Sequence, residues 1–229
     1  MKSDPARAAR RGLSVTLPPM DELPVSSPPV TRHEGESTKS AILRVAAQLF
    51  AEKGYHATGV QEVGEAVGVA RGVLYYHIQT KENLLFEIIR RPLTAVYEDA
   101  KKLLREERDP PEQLRALARG LVVELLRERF EWTVATRETF ALEPARQAEI
   151  NALRNNYEQL WADTLRAGHE SCGWVEPDAV LVRGVLGLFN FVHFWLRPDG
   201  PLTADDVVDR YMRLILSGLR HPREYGRLG

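Results

Sequence analysis

One cysteine, Cys172, leaves no internal disulfide, and no CxxC spacing offers a zinc or redox site. No metal or cofactor is therefore expected, and a reducing cytoplasm suits the chain. No apolar run approaches the roughly 20 residues of a membrane span. Basic residues near the start (Lys2, Arg7, Arg10, Arg11) are not followed by an apolar stretch, so no signal peptide is expected. A formal net charge of −1 gives no global field toward nucleic acid or acidic lipid, although a local basic face remains open. No segment alternates with period two, and no repeat of fixed length occurs. HExxH, GxSxG, a phosphate-cradling loop and paired carboxylates at a useful spacing are all missing. An enzyme is not expected, and no catalytic residue is assigned.

The chain does have 229 residues, 44% hydrophobic and 28% charged, which is an ordinary soluble globular balance. Its 14 prolines are unevenly spread, with Pro5, Pro18, Pro19, Pro24, Pro28 and Pro29 in the first 36 residues. Proline fixes φ and lacks a donor, so residues 1–36 read as a disordered tail. Amphipathic helices follow. Ile42, Val45, Ala46, Leu49 and Phe50 repeat with helical spacing, capped by Ser37 or Thr38 and stopped by Gly54. A second helix carries Val60, Val63 and Val67 and stops at Gly68. A third spans about Ala70 to His77, and a fourth starts after Thr80 and meets Pro92, which is expected to kink or interrupt it. Later stripes include Leu114, Leu117, Leu121 and Leu125, then Ile150, Leu153, Tyr157 and Trp161, then Val207, Val208, Tyr211 and Leu214. Residues 178–197 are apolar on most sides, as in a buried helix. The fold class is all-α.

Two short helices joined at a glycine turn form a helix-turn-helix, whose second helix lies in the DNA major groove. Arg71 can pair with guanine, Gly72 admits close backbone approach, and Val73 can meet a thymine methyl. Tyr75, Tyr76 and His77 can donate to phosphate, although Tyr75 is equally suited to packing. Lys81 opens the fourth helix against its dipole, a placement that a phosphate partner would offset. From Ser37 to Lys81 five cations face three carboxylates, a local +2.

The run AILRVAAQLFAEKGYHATGVQEVGEAVGVARGVLYYHIQTKENLL resembles the DNA-binding domain of the TetR family of transcriptional regulators. The AA-x-LF-x-x-x-GY first helix, Ala57-Thr58, the E-x-x-GV turn, the G-x-LYYH third helix and the KE-x-x-L start of the fourth carry the likeness. Gly59 and Ala70 stand where the family usually has Ser or Thr, and Ile78 where it usually has Phe. The resemblance implies a homodimer with a three-helix DNA-binding head (37–91) and a helical core (92–229) for effector binding and dimerisation. It adds Thr58 and Val60 to the expected DNA-binding residues. It also implies a double-stranded DNA operator, a cytoplasmic, DNA-associated location and no membrane partner. Repression released by a small-molecule effector is the expected function. The alternatives are a DNA-binding interaction protein that does not act on transcription and an all-α enzyme using His193.

In the second part, Arg183, Asn190, His193 and Arg197 share one side of a helical wheel over 178–197. That polar seam suits solvent, a dimer interface or a ligand pocket. Trp132, Phe140, Tyr157, Trp161, Phe189 and Phe194 are candidate effector-binding aromatics, with Arg137, Asn190 and His193 as polar partners. Arg154 is a further candidate for an anionic group. The stretch FWLRPDGPLTADDVVDRY is similar to a TetR subgroup containing a cholesterol-catabolism repressor that answers to a CoA thioester. An acyl-CoA effector is the expectation that follows.

Overall fold

The structure, a computed structural model, describes residues 36–106, 108–197 and 199–220. The proline-rich tail falls outside them, apart from Glu36. The described residues form nine α-helices of two turns or more, a single α-helical turn and one 3-10 turn. They contain no β-strand, only an isolated bridge between Trp174 and Arg220.

Each of the first four helices starts and stops where local chemistry dictates. Helix α1 (Thr38–Lys53) is capped by the Ser37 hydroxyl, which accepts from the Ser40 amide at 3.1 Å, and it ends at Gly54. Helix α2 (Val60–Val67) ends at Gly68, whose φ of +75° is cheap only for glycine. Helix α3 (Arg71–Ile78) ends in an unusual turn. Gln79 has φ +60° and ψ −67°, and Thr80 N donates to Ile78 O at 2.7 Å across it. This is a γ-turn of the rare, strained hand. It lets Thr80 cap helix α4 (Lys81–Leu103) by accepting from Asn83 N at 3.0 Å.

Of the kink or interruption expected at Pro92, the interruption does not occur: α4 is continuous through it. Its ring is buried, and the helix runs on for eleven residues beyond it to Leu103. A proline inside a helix forfeits one backbone bond; here the packing of Leu93, Val96 and Ala100 holds the following turns in place.

Helix α5 (Pro110–Arg127) begins with prolines in its first turn and an Asp109 cap. Helix α6 (Arg129–Arg137), the 3-10 turn Thr139–Ala141 and the long α7 (Pro144–Cys172) follow. Trp174 then folds back over Gly168, where an added Cβ would meet the indole at 1.9 Å. Helix α8 (Ala179–Asn190) is separated from the single turn α9 (Val192–Trp195) by Phe191, and α10 (Ala204–Leu219) starts with a Thr203/Asp206 capping box.

The expected single helix over 178–197 is therefore broken at Phe191, and the polar seam with it. Arg183 is exposed and paired with Glu158 at 3.1 Å, Asn190 and Arg197 are exposed, and His193 is buried.

Two apolar clusters organise the molecule. One gathers α1, α2, α3 and the first half of α4 with Val134 and Ala135 of α6, Leu142, and Ile150 of α7. The other gathers the end of α4 with α5, α7, α8, α9 and α10. The expected boundary at residue 91 thus falls inside one continuous helix, and α6 packs against α1 as part of the head's core.

Candidate nucleic-acid interface

Helix α3 is held by two anchors. Leu74 and Ile78 are buried, Leu74 lying so close over Gly64 of α2 that a Cβ there would stand 3.0 Å from it. Buried residues four apart fix one face, so the other must turn outward. Arg71, Gly72, Val73, Tyr75 and Tyr76 are exposed, Tyr76 at 81%. His77 is half-buried, with its ring edge-on to Tyr76 at 5.2 Å. The Arg71 guanidinium lies 5.5 Å from the Tyr75 ring centroid. A large tyrosine at 81% exposure does nothing for the core, so packing does not account for Tyr76.

The head's charges sort in a telling way. Lys39 pairs with Glu87 at 3.8 Å, Arg44 with Glu36 at 2.9 Å, and Lys53 with Glu62. Among the described residues, Arg71 and Lys81 form no ion pair within 4 Å, although Glu138 acts on Lys81 from farther off. Lys81 rests over the Tyr55 ring at 4.4 Å, and burial there lowers its pKa. Helices α2 and α3 carry no side-chain cap, because Gly59 and Ala70 have no hydroxyl to offer, so their first amides are open to an anion.

Thr58 requires a correction. It is 1% exposed, and its hydroxyl donates toward Gly54 O at 3.0 Å and Leu49 O at 3.3 Å. It closes the end of α1 and presents no group to DNA. Val60 is half-buried against the head's core, so it offers an edge at most.

The expected effector residues scatter more widely. Tyr157, Trp161, Phe189 and His193 are buried, the rings of Tyr157 and Trp161 lying 6.2 Å apart and those of Trp161 and Phe189 5.7 Å. Trp132 and Phe194 are half-buried. Phe140 is corrected outright: the 3-10 turn holds it at 86% exposure, away from any core. Asn190 ends α8 on the surface, and Arg137 is exposed near Phe194. Arg154 donates to Ala135 O and Thr139 Oγ1, which commits it to the fold.

A cavity of about 310 Å³ lies between the end of α4, α5 and Tyr157 of α7, lined also by Ala100, Leu121 and Glu124. Tyr157 is buried with no hydroxyl partner at ordinary hydrogen-bond geometry; burial raises its pKa, a weaker interaction with Trp161 opposing it. Glu124 is 5% exposed, keeps one oxygen on Arg127 and leaves the other without a partner; burial raises its pKa too. Sequence reading missed Glu124, although it lies three residues beyond Leu121 on the same apolar stripe. Glu131 was missed for the same reason, three residues before Val134. Buried against α4, Glu131 has Glu128 and Arg91 for neighbours, and burial pushes its pKa up to about 7.

Known proteins share this arrangement. Residues 42–88 match the bacterial regulatory proteins of the tetR family, and residues 107–219 match the tetracyclin repressor-like C-terminal domain. The HTH-type transcriptional repressor KstR2 of Mycobacterium tuberculosis is 29% identical over 189 residues, covering 80% of this chain and 93% of that relative. The TetR-family regulator PfmR of Thermus thermophilus superposes with a TM-score of 0.72 at 35% identity, covering 79% of this chain and 99% of its own. AibR, solved with isovaleryl coenzyme A and operator DNA, superposes with a TM-score of 0.68 at 28% identity, covering 78% and 97%. Matched in both its head and its helical core, the chain belongs to the TetR family of bacterial regulators.

Proposed function

We propose that the protein is a homodimeric repressor that reads an operator with α3 and leaves it when a small-molecule effector occupies the C-terminal core. The observation that carries this reading is the fate of the five cations between Ser37 and Lys81. Three are neutralised by carboxylates, and the two that are not, Arg71 and Lys81, flank the exposed face of α3. In this reading Arg71 addresses a base edge, while Tyr76, His77 and Lys81 grip phosphate.

Dimerisation accounts for a second surface. Val180, Phe191 and Leu214 are 78%, 54% and 62% exposed on α8, its end and α10. Gly184, Gly187 and Gly218 on the same two helices have open space above them. A second copy packed there buries this apolar face and sets two α3 helices about 34–36 Å apart, one DNA turn. The effector is an acyl-CoA in this proposal, supported by the isovaleryl coenzyme A in AibR and by the enclosed, unsatisfied polar groups of the core. Repression ends because the effector binds one arrangement of the two parts better than the other.

Nuclease footprinting over the DNA upstream of the protein's own gene tests the reading. A protected, near-palindromic site that disappears on adding an acyl-CoA is the expected result. No protection at any protein concentration would exclude the regulator.

A further inference from the structure

Helix α6 and the turn α9 bring together charges that form no ion pair among the described residues. Arg129 Nη2 donates to Phe194 O at 3.4 Å. The Arg137 guanidinium stands 5.7 Å from the Phe194 ring centroid. His193, 1% exposed, lies against the same ring with centroids 4.1 Å apart; the Asn190 backbone is its nearest hydrogen-bonding group, and neither ring nitrogen meets a partner at ordinary hydrogen-bond geometry. Arg197 follows four residues after His193 and is close enough to Arg129 to lower its pKa, after the larger effect of burial. None of the three arginines has an ion-pair partner among the described residues. Burial, with Arg129 and then Arg137 nearby, pushes the His193 pKa down to about 4, so the imidazole is neutral at pH 7 and offers one donor and one acceptor.

We propose that Arg129 and Arg137, which meet Phe194 beside His193, bind the phosphate groups of the effector together with Arg197 at the end of the same segment. The proposal rests on reading the C-terminal part as an effector core and names the chemistry of one portion of it. Charge decides between anions. Three guanidiniums carry +3 beside a neutral histidine. A carboxylate would match one of the three cations, whereas a diphosphate or a pair of phosphates brings the sum close to zero; of the three, Arg129 is half-buried and Arg137 and Arg197 are exposed. Planar guanidinium groups also match phosphate oxygens two at a time.

The position of Arg137 adds the means of regulation. Its Nη1 donates to Ala51 O in the last turn of α1 at 3.4 Å, and the next residue, Glu138, accepts from Tyr55 N at 3.2 Å. A phosphate drawing Arg137 toward Phe194 removes a cation from the carbonyl end of α1. The site therefore lies on the joint between head and core, and occupancy shifts the contact that seats one on the other.

Isothermal titration of the full-length protein with coenzyme A and, separately, with inorganic pyrophosphate tests the proposal. Wild type is compared with the double variant Arg129→Gln/Arg197→Gln, and operator affinity is measured in parallel. The double variant is expected to lose coenzyme A affinity roughly tenfold or more, because hydrogen bonds to charged groups contribute about 1.5–3 kcal/mol each. Unchanged coenzyme A affinity in the variant, or no binding of either probe to wild type, overturns the site.

Pyrophosphate separates two sources of the same chemistry. Coenzyme A binding far more tightly than pyrophosphate assigns the site to phosphates of a larger effector. Equal affinities overturn that assignment in favour of a free phosphate ion. Arg129→Lys/Arg197→Lys guards against misfolding: partial recovery of affinity supports a charge-based site, and none overturns it if the circular dichroism is native. Failure of wild type to bind any DNA while the arginine-dependent titration persists sinks the operator reading and leaves this site standing.

Discussion

In the head, the hydroxyl of buried Thr58 donates toward two backbone carbonyls, and the polar groups of α3 lie outside. In the C-terminal part, Glu124 Oε1, Trp132 Nε1, Tyr157 OH, Trp161 Nε1 and both nitrogens of His193 are buried without a hydrogen bond of ordinary geometry, Tyr157 having only Trp161 and His193 only the Asn190 backbone within weaker reach; Arg146 Nη1, buried likewise, is satisfied by its ion pair with Glu82. Every such atom among the described residues lies at position 124 or beyond. An unmade buried hydrogen bond costs about 1–3 kcal/mol, so a chain keeps several in one region only where something else repays them. The head is finished internally and unfinished on its surface; the core is unfinished inside. That difference assigns an external partner to the first and an internal one to the second.

The sharpest way to break the comparison is to remove the head's outward charge. Arg71→Ala is expected to weaken operator binding by about 1–3 kcal/mol, roughly ten- to hundredfold, and to relax preference at one base. Its melting temperature should match wild type, since Arg71 touches only the Tyr75 ring. Fluorescence anisotropy against operator and scrambled DNA reads both effects. Wild-type affinity in the variant would mean that α3 does not read the DNA.

How much of this was legible in the sequence follows the same division. The head's helices end within a residue or so of their expected limits, because Ser37, Gly54, Gly68 and Thr80 act on the chain locally. Thr58 misled because a hydroxyl in a turn looks available until the carbonyls of Leu49 and Gly54 are placed beside it. The core was harder. Its helical stripes were readable, but the break at Phe191 was not, since Val192, Phe194 and Trp195 are as apolar as the helix before them. Phe140 was misplaced because apolarity says nothing of which way a short 3-10 turn points. The cluster around Phe194 joins residues up to 68 positions apart, from Arg129 to Arg197, and only tertiary packing reveals it.

A second test probes the seam between the regions. Glu131 is buried beside Glu128 and Arg91, and its pKa of about 7 lies above the ordinary 4.5. The native state therefore holds an extra proton between those values. Stability is full below pH 4.5 and declines as pH rises through 7. Glu131→Gln is expected to remove that slope and to raise stability at pH 8 by on the order of 1–3 kcal/mol. Urea unfolding at pH 5 and pH 8 measures it. A variant with the wild-type slope would place the titration elsewhere.

The smallest expected effect bears directly on the core's unfinished state. Tyr157 has its hydroxyl buried at the edge of the cavity that Glu124 also lines, with no partner at ordinary hydrogen-bond geometry and only Trp161 within weaker reach. Tyr157→Phe deletes that oxygen and keeps the ring that meets Trp161 edge-on. Replacing an unsatisfied polar atom by hydrogen should stabilise the ligand-free protein by about 1 kcal/mol. In a chain of this size that raises the melting temperature by about 2–4 °C. The same change in the head, Thr58→Val, removes a hydroxyl that is bonded and should lower it. Opposite signs from two deletions of one oxygen each would separate a region built around its own bonds from one built around a guest. A loss of stability in Tyr157→Phe would show that its hydroxyl is satisfied without a ligand, and the contrast between the two regions would fail at that residue.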